Sequence, residues 1–322
     1  MSSHNVSLGP ASPDPFEDLG ARSARLADLI RALAERGYDF VSPGAGTIKW
    51  NRAQRGEGPA RLSDVFGWSL PFSRPDLPRE VFEAADAAGV LAVAGDKLLS
   101  LVRVSSVEGA HFVHSAYPPR ARDSVFLGPD SYRFARFILE QPRREGPVRI
   151  LDVGAGAGVG AILAARANPL ADVVASDVNP RALEMCAANA QAAGVQVQTL
   201  LSPDIAGEGT FDLILANPPF ISGTGGRIYR DGGAMSGMEI PLRWGAAGAR
   251  RLGAGGAMLL YTGSPVRKGR HGFREMLEQR LPRDCRLEFR EIDPDIFPGL
   301  LGSEGYEDVE RIAAIGAVII RP

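Results

Sequence analysis

The segment Asn217-Pro218-Pro219-Phe220 combines residue types that suit chemistry at a planar nitrogen atom. A nitrogen lone pair delocalised into an amide or an aromatic ring is a poor nucleophile. A carboxamide oxygen and a nearby backbone carbonyl can accept the N–H hydrogens and localise that lone pair, while the prolines hold both acceptors in place. Phe220 offers an aromatic face for stacking. The alternative is a strand that ends in a proline-rich turn, with Phe220 in the core.

A glycine-rich segment lies about sixty residues upstream, with glycines at 154, 156, 158 and 160. It departs from the dinucleotide fingerprint G-x-G-x-x-G, because Val159 occupies the position of the third glycine. Glycine suits a sharp turn where a ligand touches backbone. The candidates for such contacts are Gly154, Gly156 and Gly158.

These two segments must be positioned by strands and helices. Residues 148–151 and 211–216 read as buried strands, and residues 161–166 as the helix after the first of them. Open α/β sheets bind ligands at the carboxyl ends of their strands. Asp177 ends the next strand, where a carboxylate can accept both hydroxyls of a ribose; its alternative is a helix cap, for which Asn179 is better placed.

In this order and at this distance, the two segments resemble class I S-adenosylmethionine (SAM)-dependent methyltransferases, in the small-domain branch with an Asn-Pro-Pro-aromatic loop. The resemblance covers residues 148–262 motif by motif. It implies a Rossmann-like seven-stranded α/β sheet with SAM as cofactor and Asn217 in the cofactor site as well as in catalysis. It also implies roles for residues beside the motifs: Asp152 at the glycine loop or the SAM amino group, Asp204 and Ile205 at the adenine, and Ser131 or Tyr132 at the SAM carboxylate.

A polar, glycine-rich insertion, residues 222–237, follows the proline loop. A long loop without periodicity is more often functional than accidental. We expect it to wall the acceptor pocket, with Arg230 pairing an acidic group and Tyr229 stacking on the acceptor. A local ion pair between Arg230 and Asp231 is the alternative.

The sequence divides into a flexible lead at 1–18, an N-terminal module at 19–120 and a catalytic domain at 121–322. In the module, helices are predicted at 22–35, 62–68 and 78–88, followed by strands at 90–93, 97–104 and 110–114. Helices followed by a small sheet resemble a winged-helix-like α+β lid, at the level of pattern only. The stretch Pro118-Pro119 is the expected hinge.

Charge and composition narrow the partners. Residues 1–130 contain 14 Lys and Arg against 16 Asp and Glu, so 14 − 16 gives a net charge of −2. Because nucleic-acid affinity comes largely from phosphate neutralisation, this balance argues against a nucleic-acid partner. The two cysteines form no metal spacing, no metal site is predicted, and no run resembles a membrane span or a signal peptide. We therefore expect a cytoplasmic protein.

The predicted function is SAM-dependent N-methylation of a planar amide, an amine or a small-molecule nitrogen nucleophile. The predicted partner is a small molecule, a protein amide or SAM itself. Two alternatives remain open. One is a SAM cyclase that forms azetidine-2-carboxylate and methylthioadenosine, and the other is a non-catalytic SAM-binding adaptor.

Overall fold

The computed structural model describes residues 19–55, 58–119, 121–142, 146, 148–205, 208–222 and 231–322. The N-terminal part begins with helices, which are α1 (Leu19–Glu35), α2 (Ala45–Gln54), α3 (Leu62–Phe66) and α4 (Arg79–Ala87), with a short 3-10 helix at Arg74–Asp76. Its strands are β1 (Leu91–Ala94), β2 (Lys97–Ser100), β3 (Val102–Val107) and β4 (Ala110–Ser115). The helices and strands expected from the sequence are therefore present, and α2 is one that the sequence did not indicate.

The predicted strand 97–104 is divided in the structure. β1 pairs with β2, and β3 pairs with β4, in two separate antiparallel ladders. The division falls at Leu101, whose backbone N–H donates to the Val90 carbonyl oxygen. The Ser100 hydroxyl donates to the Val102 carbonyl oxygen at 2.7 Å and holds the bend between the two ladders.

The catalytic half begins with α5 (Pro129–Leu139) and continues as an alternating α/β chain. Its elements are β5 (Arg149–Val153), α6 (Val159–Ala167), β6 (Asp172–Asp177), α7 (Pro180–Ala192), β7 (Gln198–Leu201), β8 (Phe211–Ala216), α8 (Glu239–Ala249), β9 (Leu252–Arg267), β10 (Arg270–His271), α9 (Gly272–Glu278), β11 (Arg286–Asp293) and β12 (Arg311–Ile320), with a 3-10 helix at Pro298–Leu300. In the described ranges the main sheet has the order β11-β12-β9-β8-β5-β6-β7, and β10 pairs with β9.

This sheet confirms the predicted seven-stranded α/β fold. β7, β6, β5, β8 and β9 run parallel, whereas β12 runs antiparallel to both of its neighbours. Parallel strands covered on both faces need continuous apolar sequence, as in β8, where residues 214–216 are fully buried. The chain continues to β6 on one side of β5 and to β8 on the other, and open α/β sheets bind ligands in the crevice at such a reversal of strand order.

The N-terminal part packs tightly against the sheet domain. Leu26 and Leu29 of α1 share one hydrophobic cluster with Leu163 of α6 and Met185 of α7. The Ser23 hydroxyl donates to the Glu184 carbonyl oxygen at 3.1 Å. The predicted boundary at residue 120 stays a prediction, and the core runs across it.

In the ranges that the structure describes, no helix combines the length and the apolar character needed to cross a bilayer. The cytoplasmic location stays a prediction.

Candidate functional site

A cavity of about 830 Å³ opens at the carboxyl ends of β5, β6 and β8. The sheet brings these ends together because the three strands are parallel neighbours in register. The predicted site residues that line the cavity are Ser131, Asp152, Gly154, Gly156, Asp177, Asn217, Pro218 and Phe220. Residues far apart in the chain therefore share one space.

The loop between β5 and α6 requires glycine for two reasons. Gly154 and Gly156 have φ angles of 64° and 54°, in the left-handed region that side chains disfavour. A Cβ on Gly154 would lie 2.7 Å from the Trp244 ring, so this indole covers the loop closely. At Gly156 a Cβ would meet nothing within 4 Å, and the backbone there is open to the cavity.

Gly158 serves packing in the structure. It lies outside the cavity lining, and a Cβ there would approach the Cys186 sulfur of α7 to 2.5 Å. This glycine therefore lets α6 start close to α7, and the structure places it away from the contacts predicted for it.

Asp177 ties the glycine loop to the end of β6. Its carboxylate accepts hydrogen bonds from the backbone N–H groups of Gly156, at 2.9 Å, and Asn179, at 2.8 Å. Burial raises the pKa of this carboxyl, and the hydrogen bonds from Asn179 and Gly156 oppose that shift. Asn179 caps α7, because its side chain accepts a hydrogen bond from the Arg181 N–H. Asp177 is therefore not the cap of this helix.

Asp152 is fully buried beneath the loop. It accepts a hydrogen bond from the Ala161 N–H at 2.8 Å and so holds the first turn of α6 against the end of β5. Burial raises the pKa of Asp152 to about 7, and the nearby Asp177 carboxyl adds to the shift. One carboxylate oxygen of Asp152 therefore fixes the position of the glycine loop against α6.

The loop after β8 presents Asn217 to the cavity. Within the described part of the chain, no hydrogen bond to the Asn217 side chain is present, so its carboxamide is available. Phe220 is 9% exposed and packs 6.2 Å from the Tyr261 ring and 6.0 Å from the Phe297 ring, between centroids. Phe220 is thus a core residue that also lines the cavity.

The N-terminus of α5 forms another side of the cavity. The Ser131 hydroxyl accepts from the Gly128 N–H at 3.4 Å. Asp130, beside it, is buried and accepts from the Tyr261 hydroxyl at 2.8 Å. Burial raises the pKa of Asp130. Arg133 forms ion pairs with Asp130 and Asp293, so the charges here are paired internally.

Three further predicted residues lie outside the lining. The Tyr132 hydroxyl accepts from the Ser42 N–H at 2.7 Å and faces the N-terminal part. Asp204 accepts from the Trp244 indole N–H at 3.0 Å and pairs with Arg243 at 3.1 Å, so it orients two side chains that line the cavity. Ile205 packs against the hydrophobic cluster beneath α8. In place of Asp204 and Ile205, the preceding residues Ser202 and Pro203 line the cavity.

Tyr229 and Arg230, predicted to wall an acceptor pocket, fall outside the described residues. Asp231, inside that insertion, is held at the proline loop, because it forms a parallel bridge with Ile221. The Gly232 N–H donates to the Ile221 carbonyl oxygen.

Sequence reasoning missed much of the cavity, including the side of it that the N-terminal part supplies. The missed lining residues include Pro43, Gly44, Gly46, Arg103, Ser115, Tyr117, Ser124, Phe126, Asn179, Arg243 and Trp244. Pro118 and Pro119, predicted as a hinge, also line it. Of these residues, only the prolines and glycines mark a turn or a loop in the sequence. The others reach the cavity through packing between segments that are distant in the chain.

Residues 134–230 match the family model described as "Methyltransferase small domain". This segment holds the glycine loop, Asp177 and the Asn217 loop, which all line the cavity. The match confirms the predicted class I SAM-dependent methyltransferase family and SAM as its cofactor.

The chain is similar to curated methyltransferases over part of their length. It is 34% identical over 142 residues to a release factor glutamine methyltransferase of Deinococcus radiodurans, covering 43% of this chain and 51% of that protein. It is 41% identical over 78 residues to a ribosomal RNA small subunit methyltransferase C of Serratia proteamaculans, covering 23% and 22%. The chain thus spans about half, or less, of the length of these relatives.

Among solved structures, a T. thermophilus 16S rRNA N2 G1207 methyltransferase in complex with AdoMet and guanosine aligns with a TM-score of 0.45. The sequence identity is 20%, and the alignment covers 77% of this chain and 63% of that one.

The prediction that argued against a nucleic-acid partner is wrong. A relative named for ribosomal RNA stands beside one named for a protein glutamine, and neither of these two is named for a small molecule or for SAM as acceptor. The error has a physical reason, since net charge sums residues on opposite faces and says little about one surface. The cyclase and adaptor alternatives gain no support from these names.

The described residues fit SAM. The cavity joins an open glycine loop, where a cofactor can touch backbone, with a carboxylate at the end of β6 that suits ribose hydroxyls. Its apolar surfaces, such as Pro203 and Ile240, suit an adenine ring.

Proposed function

We propose that this protein transfers a methyl group from SAM to a planar nitrogen of a macromolecule, with a protein side-chain amide as the first candidate. The observation that carries the proposal is the position of Asn217. Its carboxamide, unpaired among the described residues, opens into the same cavity as the glycine loop and Asp177. A group that can grip a nitrogen nucleophile therefore lies beside the site suited to the methyl donor.

SAM supplies a methyl group on a sulfonium, which is a good leaving group without acid catalysis. The protein's contribution is alignment. The Asn217 carboxamide oxygen accepts an N–H of the acceptor and localises the nitrogen lone pair, while Pro218 and Pro219 fix the loop. Such preorganised acceptors stabilise the charge that develops on nitrogen.

The glycine loop and Asp177 bind and orient the donor. Two backbone hydrogen bonds to Asp177 hold its carboxylate at the loop before any ligand enters. Trp244, oriented by Asp204, covers Gly154. The site is thus arranged before binding, which reduces the ordering that binding must supply.

The two kinds of relatives favour different acceptors. Similarity to the release factor glutamine methyltransferase of D. radiodurans extends over 142 residues, which supports a protein amide first. Similarity to the ribosomal RNA methyltransferase is higher, at 41%, over a shorter stretch of 78 residues, and supports a nucleobase nitrogen as the second candidate.

Transfer of labelled methyl tests both candidates. The purified protein is incubated with methyl-labelled SAM and with separated protein and RNA fractions of a bacterial extract. We expect label in the protein fraction that survives nuclease and is lost with protease. Label lost only with nuclease would select the nucleobase. Tight SAM binding without label in either fraction, at any concentration of enzyme, would overturn the proposed function.

A further inference from the structure

Among its described residues, the N-terminal part contributes one charged side chain to the cavity. Arg103 on β3 is 5% exposed and lines the same space as the glycine loop. Its Nε donates to the Ser115 carbonyl oxygen at 3.4 Å. Its Nη1 is buried and has no hydrogen-bond partner in the described part of the chain.

Among the residues that the structure describes, the surroundings of Arg103 supply no counter-ion. Among the described residues, no carboxylate lies within ion-pair distance of its guanidinium. Its neighbours include the phenols of Tyr38, Tyr117 and Tyr132. Burial lowers the pKa of Arg103 to about 10, so the side chain stays protonated at neutral pH.

A buried charge without a partner costs free energy, and proteins normally pair or coordinate such groups. The other arginines that line the cavity in the described ranges are already paired. Arg133 binds Asp130 and Asp293, and Arg243 binds Asp204. Arg103 is therefore the lining guanidinium that is short of an anion.

Hydrogen bonds link β4, the strand that pairs with β3, to the glycine loop. The Asn189 side chain donates to the Ala157 carbonyl oxygen at 2.8 Å and binds both backbone groups of Val113 on β4. Ser115, which accepts from Arg103, follows two residues later on β4. Val125 binds Ser115 in turn and leads to the N-terminus of α5.

We propose that Arg103 binds the carboxylate at the amino-acid end of SAM. A guanidinium fork matches a carboxylate in shape as well as in charge. This inference rests on the proposed function, because it assumes SAM in the cavity. It replaces Tyr132, whose hydroxyl is bound to Ser42, as a candidate for that carboxylate. The N-terminal part thereby completes the cofactor site.

Calorimetric binding without any acceptor tests the inference. SAM is compared with methylthioadenosine, which has the same nucleoside and no amino-acid carboxylate. We expect Arg103→Met to weaken SAM binding by about 10- to 100-fold, the range for hydrogen bonds to charged groups. Binding of methylthioadenosine should not change. Arg103→Lys, which keeps the charge and loses the fork, should fall between the two.

Thermal unfolding without ligand separates binding from a structural role. Removing an unpaired buried charge should leave the unfolding temperature of Arg103→Met equal to that of the wild type, or raise it. Arg36→Met, which breaks an exposed ion pair with Glu80 on the same N-terminal part, is the matched control and should bind both ligands normally.

The outcomes are distinct. Equal losses for SAM and methylthioadenosine, or no loss for either, would overturn the role of Arg103 while leaving the proposed function standing. A wild-type protein that binds methylthioadenosine but not SAM would overturn both this role and the proposed function, because the proposed methyl transfer needs bound SAM. Failure of the wild type to bind either nucleoside would overturn the proposed function and this inference together.

Discussion

The cavity has two walls that differ in how they are built. The sheet wall comes from the ends of β5, β6 and β8, and each of its polar residues lies in or beside a short motif. The N-terminal wall comes from β3, β4 and the segments near Gly44 and Tyr117. Its polar residues have no motif around them. The sheet wall is local in sequence, and the N-terminal wall is a product of packing.

This difference between the two walls indicates which part of the site can determine its specificity. Backbone geometry fixes the sheet wall, because Gly154 and Gly156 need left-handed φ angles and Asp177 binds their loop. Side chains fix the N-terminal wall, which depends on contacts such as that between Asn189 and Val113. We expect the sheet wall to serve the nucleoside end of the cofactor and the chemistry, and the N-terminal wall to hold the amino-acid end through Arg103 and to tune what else binds.

Replacing Asn217 should have the largest effect. Asn217→Ala should lower the turnover number by roughly 10²- to 10³-fold, as for other preoriented hydrogen-bonding groups. SAM affinity should change little, because the carboxamide acts mainly on the nucleophile as the transition state forms. Single-turnover kinetics with labelled SAM, together with calorimetry, measure both quantities.

Asn51→Ala, on α2 and outside the cavity lining, is the control for this experiment. Equal losses of SAM affinity and turnover in Asn217→Ala would make Asn217 a binding residue. The division of labour between the two walls would then need revision.

Asn189 connects the two walls, and replacing it should lower the free energy of unfolding. Asn189 is fully buried, and its side chain binds Val113 twice and Ala157 once. Asn189→Ala should destabilise the fold by roughly 3 kcal/mol, since each unsatisfied buried group costs about 1–3 kcal/mol. Urea unfolding measures the change, with the exposed Gln191→Ala on the same helix as control. An unchanged midpoint would show that the walls are held together by other contacts.

A smaller loss should follow removal of the Asp177 carboxylate. Asp177→Ala should weaken SAM binding by about 1–3 kcal/mol, the cost of unsatisfied polar partners. Asp172→Ala, at the exposed start of the same strand, should bind SAM normally. Undiminished affinity in a folded Asp177→Ala protein would remove this carboxylate from the cofactor site.

Sequence alone predicted the sheet wall well because its determinants are short in range. A glycine loop after a strand, an acidic residue ending the next strand and a proline loop ending a third imply a common edge in any parallel sheet. Sequence could not decide which of several adjacent residues after β7 faces the cavity. Asp204 turns to Trp244 and Arg243, so Ser202 and Pro203 face the cavity instead.

Arg103 was not predictable in this way. It lies in the strand Val102–Val107, whose pattern reads as ordinary β structure. Only pairing with β4 and contact with α7 bring that strand to the glycine loop. A similar limit applied to the charge argument, because a sum over residues 1–130 cannot say which arginines share a surface.

The hydrophobic cluster that joins α1 to α6 and α7 also limits how this architecture can be recombined. Since Leu26 and Leu29 pack with Leu163 and Met185, an exchanged N-terminal segment would meet the wrong surface unless those partners changed with it. Chimeras made by cutting near residue 120 would therefore inherit a mismatched core. New acceptor preferences in such proteins would more readily arise by substitutions in place than by shuffling of whole modules.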